Sequence, residues 1–238
     1  MSHFPGKLLL LLASLASISE AALTVTATAD NYTFKAQPDT NQTATSESLA
    51  IKVANSGQTN SRSAFFKFDT SAASAVLDGP QAVFQVTNTT ASNTLFRIRV
   101  YALNSGANGY DWLAADSAPA AGDGITWNNS PAFSSSATNN YLDLTKVTEI
   151  GIFDITDGTA VGGTFQVTLG NWSNFVQPDG TLTLISVVYG QTAGGSNMSL
   201  GASEHRTAAY RPTLTFIPEP SVMALTALGA LPLLRRRR

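Results

Sequence analysis

Residues 181–189 read Thr-Leu-Thr-Leu-Ile-Ser-Val-Val-Tyr, which is the most hydrophobic strand-length run between the two ends of the chain. β-Branched and aromatic residues favour an extended backbone, and a run that is apolar on both faces is typical of a strand covered on both sides. We therefore predict that these residues form a strand in the middle of a sheet.

Other segments of strand length lie on both sides of this run. In residues 95–103, Phe96, Ile98 and Val100 alternate with Arg97 and Arg99, which places the two sets on opposite faces of a strand. Clusters of Gly, Asn, Asp and Ser separate the segments and are typical of turns. The other predicted strands are 23–29, 48–53, 62–69, 81–87, 163–169 and 213–217. This pattern predicts an all-β fold, a jelly-roll-like β-sandwich.

Two further segments differ from the strands. Residues 104–141 are rich in Ala, Ser, Gly and Asn and contain no clear strand, so we expect a long connection that is functional or flexible rather than part of the core. Residues 143–149 place Leu144 and Val147 three apart, which predicts one short helix.

The N-terminal end has the three parts of a secretory signal. Lys7 supplies a positive charge, residues 8–16 are almost all apolar, and Ser19-Glu20-Ala21 places small residues at the cleavage positions. An uncleaved membrane helix would need a longer apolar run. We predict a signal peptide over residues 1–22.

The C-terminal end consists of Pro218-Glu219-Pro220, an apolar run over 222–234 and four terminal arginines. As a helix the run rises only about 20 Å, less than the roughly 30 Å of a bilayer core, and the arginines favour the cytoplasmic side. This order resembles the PEP-CTERM sorting signal of Gram-negative bacteria. The resemblance implies a short sorting helix over 218–238, transient membrane insertion, cleavage by an exosortase, and delivery to the cell surface or extracellular matrix. An ordinary short tail anchor is the alternative.

Residues 23–217 between these signals are predicted to be one domain. Without Lys7, the four terminal arginines, Glu20 and Glu219, nine basic and fourteen acidic side chains remain, a net charge near −5. This charge argues against binding nucleic acid through bulk charge, and an acidic polysaccharide would have to be held by local contacts. The chain has no cysteine, so disulfides cannot stabilise the domain.

Several motifs of this domain resemble the DNRLRE-type domain, also classed as carbohydrate-binding module family 96. They are Ala29-Asp30-Asn31-Tyr32, Pro38-Asp39-Thr40-Asn41, the strand 62–69, Ile125-Thr126-Trp127-Asn128-Asn129-Ser130-Pro131, Asp154-Ile155-Thr156, Ser203-Glu204 and Arg211-Pro212-Thr213-Leu214. The chain departs from the family at Gln42-Thr43, where an aromatic residue and Gly are usual, and at Asp116, which follows Trp112 later than usual. The resemblance implies a jelly roll that binds alginate-like or other polysaccharides.

The sequence offers a set of candidate sugar-binding residues in or near the long connection. Aromatic rings pack on the apolar faces of sugars, and Asn side chains bond to hydroxyls. The candidates are Tyr110, Trp112, Trp127, Asn128, Asn129 and Trp172. In the alternative interpretation, Trp127 fills the core, Asn128 and Asn129 close a turn, and the domain is structural.

Oxygen ligands for a structural calcium ion are also present. Asp39, Asn41 and Asp69 are the candidate metal ligands, and the alternative is that these side chains cap turns. A zinc site or cysteine nucleophile is excluded because residues 23–217 contain one histidine, His205, and no cysteine. No Gly-x-Ser-x-Gly motif is present, although a pair of carboxylates stays open.

The sequence therefore predicts an exported, non-catalytic protein whose sandwich binds polysaccharide outside the cell. Its other predicted partners are signal peptidase and an exosortase during export. The alternative is a structural component of the surface or matrix that binds no specific sugar.

Overall fold

A computed structural model describes residues 21–42, 47–53, 60–76, 81–112, 124–133, 142–192 and 197–218. These residues are about half strand and form antiparallel sheets. The strands are β1 (Leu23–Thr26), β2 (Ala29–Phe34), β3 (Ser48–Ile51), β4 (Arg62–Asp69), β5 (Gln81–Thr87), β6 (Phe96–Leu103), β7 (Val147–Ile155), β8 (Thr164–Gly170), β9 (Thr181–Gln191), β10 (Met198–Gly201) and β11 (Thr213–Ile217). A short helix, α1 (Ser71–Val76), and 3-10 turns at Trp172–Phe175 and Ala208–Tyr210 complete the regular structure of the described part.

The opening run lies in the middle of the larger sheet, as predicted. That sheet has five strands in the order β2-β4-β9-β6-β7. The side chains of residues 182–188 in β9 are all buried, because each face of the strand is covered by a different apolar cluster.

The main core lies between the five-stranded sheet and a four-stranded sheet of order β1-β11-β5-β8. Alternate side chains of each strand point into it, for example Phe66 and Phe68 of β4, Phe84 of β5 and Phe216 of β11. Strands β3 and β10 pair with each other at one side. The all-β, sandwich-like class is confirmed, whereas the jelly-roll path of the chain stays a prediction.

A second apolar cluster lies on the other face of the five-stranded sheet. Sheet residues Phe65, Tyr101 and Ile185 contact residues that the chain supplies after β6. Those residues are Trp112, Ile125, Trp127, Ala132, Phe133 and Leu142. The expectation that 104–141 lies outside the core is therefore wrong for five of its described residues, which are buried against an apolar sheet face: Trp112, Ile125, Trp127, Ala132 and Phe133.

The helix predicted at 143–149 is also wrong. Asp143 accepts hydrogen bonds from the Thr145 backbone N–H (3.1 Å) and hydroxyl (2.6 Å), which forms a turn. The chain then enters β7 and pairs with β6 from Val147 onward. Helix α1 was not predicted; it follows Asp69, whose carboxylate accepts the Ser71 N–H at 2.9 Å.

The predicted signal peptide and sorting segment lie almost entirely outside the described residues. Strand β1 begins at Leu23 and β11 ends at Ile217, so the described sandwich occupies the interval between the two predicted signals. Within the described ranges, no helix has the length and apolar character needed to cross a membrane.

Candidate functional site

The structure places all three tryptophans in apolar clusters. Trp112 is 7% exposed, and its indole N–H donates to the Thr183 hydroxyl at 3.1 Å. Its ring meets Phe65 edge-on at 6.1 Å. The Lys67 ammonium lies 4.9 Å from the centre of the ring and donates to the Trp112 carbonyl at 2.6 Å. Trp112 is thus fixed as a buried anchor of the long connection.

The other two tryptophans fill different clusters. Trp127 is 7% exposed and packs against Phe133 with ring centres 4.4 Å apart in the second cluster. Trp172 is 3% exposed and meets Phe216 at 4.6 Å in the main core. Neither presents a free ring face of the kind that stacks on a sugar. Tyr110 is half-buried at the edge of the second cluster.

Asn128 and Asn129 lie together on the surface. The Asn129 side chain accepts the Thr126 N–H at 2.6 Å and donates to the Gly124 carbonyl at 2.9 Å, which closes the turn after Trp127. Asn128 donates to the Asp39 carboxylate at 2.7 Å. The two motif loops, 37–42 and 124–131, therefore meet at a polar loop junction.

Asn41 is also part of this junction. Its side-chain oxygen accepts from the Asn31 amide at 2.6 Å. Its amide lies so close to Gly124 that a side chain at that glycine would overlap it. The junction is built from motif residues that hold each other, so its described polar groups act mainly as a scaffold.

The three predicted metal ligands are not brought together. Asp39 binds Asn128 and Asn41 binds Asn31, whereas Asp69 caps α1. Asn31 pairs with Phe65, four residues from Asp69 along β4, which is roughly 13 Å. No group of three His, Cys, Asp or Glu side chains able to hold a metal ion occurs within the described ranges.

A different surface of the sandwich has the chemistry of a binding site. Near β7 the outer face of the five-stranded sheet carries Arg97 and Arg99 from β6 and Tyr189 from β9. The Arg99 guanidinium lies 4.4 Å from the centre of the Tyr189 ring, a cation–π contact. Tyr189 and Arg99 are both partly exposed and Arg97 is exposed.

Strand β7 adds acidic and apolar groups to the same face. Glu149 lies 3.6 Å from the Arg99 guanidinium, and Asp154 stands opposite Arg97 in the register. Ile152 stands opposite Arg99 and is 56% exposed. We call these six residues the arginine–tyrosine strip: Arg97, Arg99, Glu149, Ile152, Asp154 and Tyr189.

The arginines of the strip are held in position by their neighbours. The pKa of Arg99 is raised mainly by a hydrogen bond with Tyr101 and, to a smaller degree, by the nearby Glu149 carboxylate. Arg99 is therefore permanently cationic. Gly190 stands opposite Arg97, and a methyl group added there would meet the Arg97 Cδ at 3.4 Å. The stem of Arg97 therefore lies close over the backbone of β9.

The two strip carboxylates are poorly placed for glycoside hydrolysis. Glu149 and Asp154 are five residues apart on β7, roughly 16 Å along a strand. Paired catalytic carboxylates stand about 5–10 Å apart. These two groups therefore do not form a hydrolytic pair.

The strip is not among the residues predicted from the sequence, although one sequence pattern points to it. Arg97 and Arg99 alternate with the core residues of β6, which places two cations on the outward face of a strand. Their proximity to Tyr189 depends on the pairing of β6 with β9, 90 residues further along the chain. The local pattern alone does not reveal that pairing.

Comparison with known families gives one match. The model of carbohydrate-binding module family 96 matches residues 21–170, which is more than half of the 238 residues. The matched segment contains the loop junction and every strip residue except Tyr189, which lies on β9. No curated protein matches the chain.

Proposed function

The chain belongs to carbohydrate-binding module family 96, and we propose that its sandwich domain binds polysaccharide on the arginine–tyrosine strip without cleaving it. The observation that carries this proposal is the pair of Arg99 and Tyr189, with guanidinium and ring 4.4 Å apart near β7, where both side chains are partly exposed. The predicted tryptophans are buried instead, so the strip is the better candidate.

The side chains of the strip suit a sugar ligand. The exposed part of the Tyr189 ring and Ile152 offer apolar contact to the C–H faces of a sugar ring. The planar guanidinium groups of Arg97 and Arg99 can bind a carboxylate in a bidentate manner. The two carboxylates of the strip balance its two arginines, so an acidic polysaccharide would be held here by individual guanidinium contacts rather than by net positive charge.

Affinity electrophoresis tests the proposal with the full-length protein in mild detergent. Native gels with and without sodium alginate would compare the wild type with Tyr189→Ala and Arg99→Ala. A charged hydrogen bond contributes about 1.5–3 kcal/mol, so Arg99→Ala should weaken retardation about tenfold or more. Arg206→Ala is the matched control, because Arg206 is exposed and pairs with Glu47 instead. Equal retardation of all four proteins would refute the site.

The proposal also includes export and sorting. The described sandwich begins at Leu23 and ends at Ile217, which supports a cleaved signal peptide before it and a PEP-CTERM-like sorting segment after it. The functional protein is then a jelly-roll sandwich at the cell surface or in the extracellular matrix. Mass spectrometry of the protein from its host would find termini near residues 22 and 218. Intact residues 1–22 or 222–238 would contradict this part.

A structural calcium ion and a purely structural role are secondary candidates. A calcium ion would have Asp39 and Asn41 as ligands at the loop junction, without Asp69. Burial of Trp112, Trp127 and Trp172 favours the alternative of a matrix component without specific sugar binding. Failure of every polysaccharide to retard the protein, with and without calcium, would support that alternative.

A further inference from the structure

The outer face of the four-stranded sheet carries two rows of uncharged side chains. Two rows cross all four strands, each with one side chain from β1, β11, β5 and β8 in that order. The first row is Thr26, Thr213, Gln85 and Gln166, and the second is Thr24, Thr215, Val83 and Thr168. We call these eight residues the threonine–glutamine face.

The absence of charge at these eight positions sets this face apart. Threonine is a good strand former, so its presence alone needs no functional reason. The solvent side of a sheet, however, usually carries charged residues that keep it soluble and prevent unwanted pairing. The outer face of the five-stranded sheet follows that rule, with Arg97, Arg99, Glu149 and Asp154.

Hydrogen bonds across the strands order the polar groups of the face. The hydroxyls of Thr24 and Thr215 are 2.9 Å apart, and Gln166 donates to the Gln85 side chain at 2.7 Å. These contacts reduce the freedom of the side chains before any ligand arrives, which lowers the entropic cost of binding. Each hydroxyl and amide keeps further hydrogen-bonding capacity.

We propose that the threonine–glutamine face is a second polysaccharide site, which takes a neutral, hydroxyl-rich chain. An uncharged surface matches an uncharged ligand because neither has to give up the hydration of an ion. The hydroxyls and amides exchange hydrogen bonds with sugar hydroxyls. The methyl groups of the threonines and Val83 pack against C–H groups.

The position of this face would allow one domain to bind two polysaccharide chains. The strip and the threonine–glutamine face lie on opposite sides of the main core, since each belongs to the outer surface of a different sheet. One domain can then hold two polysaccharide chains at once. Such a domain cross-links chains, and two weak contacts joined in one molecule give a higher total affinity.

Lysine substitutions test the second site in the full-length protein in mild detergent. Thr168→Lys and Thr215→Lys place a charge on the face, and Thr207→Lys is the control on an exposed threonine outside it. We expect retardation by hydroxyethyl cellulose to fall at least tenfold in the two face variants and to stay unchanged in the control. Arg99→Ala and Tyr189→Ala should leave it unchanged. Melting temperatures would show that each variant is folded.

The outcomes separate this proposal from the proposed function. Binding of alginate but not of hydroxyethyl cellulose by the wild type would overturn the second site and leave the strip intact. Binding of hydroxyethyl cellulose that Arg99→Ala abolishes would also overturn it, since one site would then serve both ligands. Light scattering that shows a dimer broken by Thr215→Lys would mean that the face binds a second copy instead. Capture of fluorescent alginate on microcrystalline cellulose by the wild type alone would support it.

Discussion

Replacing Trp112 by Ala separates a structural role of this residue from a sugar-binding role. Trp112 is buried, its N–H donates to Thr183 at 3.1 Å, and its carbonyl accepts the Lys67 ammonium at 2.6 Å. Loss of a buried tryptophan side chain costs about 3–5 kcal/mol. The substitution also leaves the buried Thr183 hydroxyl without this partner, which adds to the loss.

The same change predicts a measurable shift in thermal stability. For a domain of this size, each kcal/mol lowers the melting temperature by about 2–4 °C, so Trp112→Ala should lower it by roughly 6–20 °C. Calorimetry measures the shift. Trp112→Phe, which keeps a ring against Phe65 but loses the indole N–H, should lose about 1–3 kcal/mol.

Melting temperature and alginate binding of Trp112→Ala, measured together, distinguish the two roles. Below the melting temperature, folded Trp112→Ala should still be retarded by alginate, because the ring is not on the strip. A variant that melts like the wild type but no longer binds alginate would show that Trp112 contacts sugar. That result would support the prediction that Trp112 binds sugar and would contradict its role as a buried anchor of the long connection.

Three more predictions concern stability. Asn129→Ala removes the bonds to the Thr126 N–H and the Gly124 carbonyl and should cost about 1–3 kcal/mol in urea unfolding, whereas an unchanged midpoint would mean that the turn is held otherwise. Gly151→Ala places a methyl group 2.6 Å from Val167 Cγ1 and should also lower the free energy of unfolding by about 1–3 kcal/mol. An unchanged free energy of unfolding would show that β7 and β8 are packed less closely. The Ser71 N–H lowers the pKa of Asp69 below 3.8, so its contribution to stability is present above pH 3.8 and lost as the pH falls through the folded-state pKa. Asp69→Asn should therefore lose less stability than the wild type between pH 5 and 2, and equal losses would contradict this.

Much of the fold could be predicted because side chains alternate along most strands. Strand β6 shows this clearly, since Phe96, Ile98 and Val100 are buried and Arg97 is exposed. Strand β7 was missed because Gly151 and a bulge opposite Val100 and Tyr101 interrupt its alternation. A methyl at Gly151 would clash with Val167, so a contact between sheets explains why a glycine interrupts the pattern.

The site was harder to predict because tertiary contacts define it. Trp112, Trp127 and Phe133 are spread over an irregular segment, so no period marks them as members of a second core. Tyr189, the partly exposed aromatic residue of the strip, is part of the predicted central strand because of its β-propensity. Only the pairing of β9 with β6 places it beside Arg99.

The dissociation constant for alginate oligosaccharides, measured by titration calorimetry, would show whether the arginine–tyrosine strip holds the polysaccharide. The comparison is between the wild type, Tyr189→Ala and the charge-matched pair Arg99→Ala and Arg206→Ala. We expect binding to be about tenfold weaker, or weaker still, for the two strip variants, and the constant to be unchanged for Arg206→Ala. Equal weakening by both arginine variants would show that bulk charge rather than the strip holds the ligand. Unchanged binding in all three variants would place the ligand elsewhere on the domain.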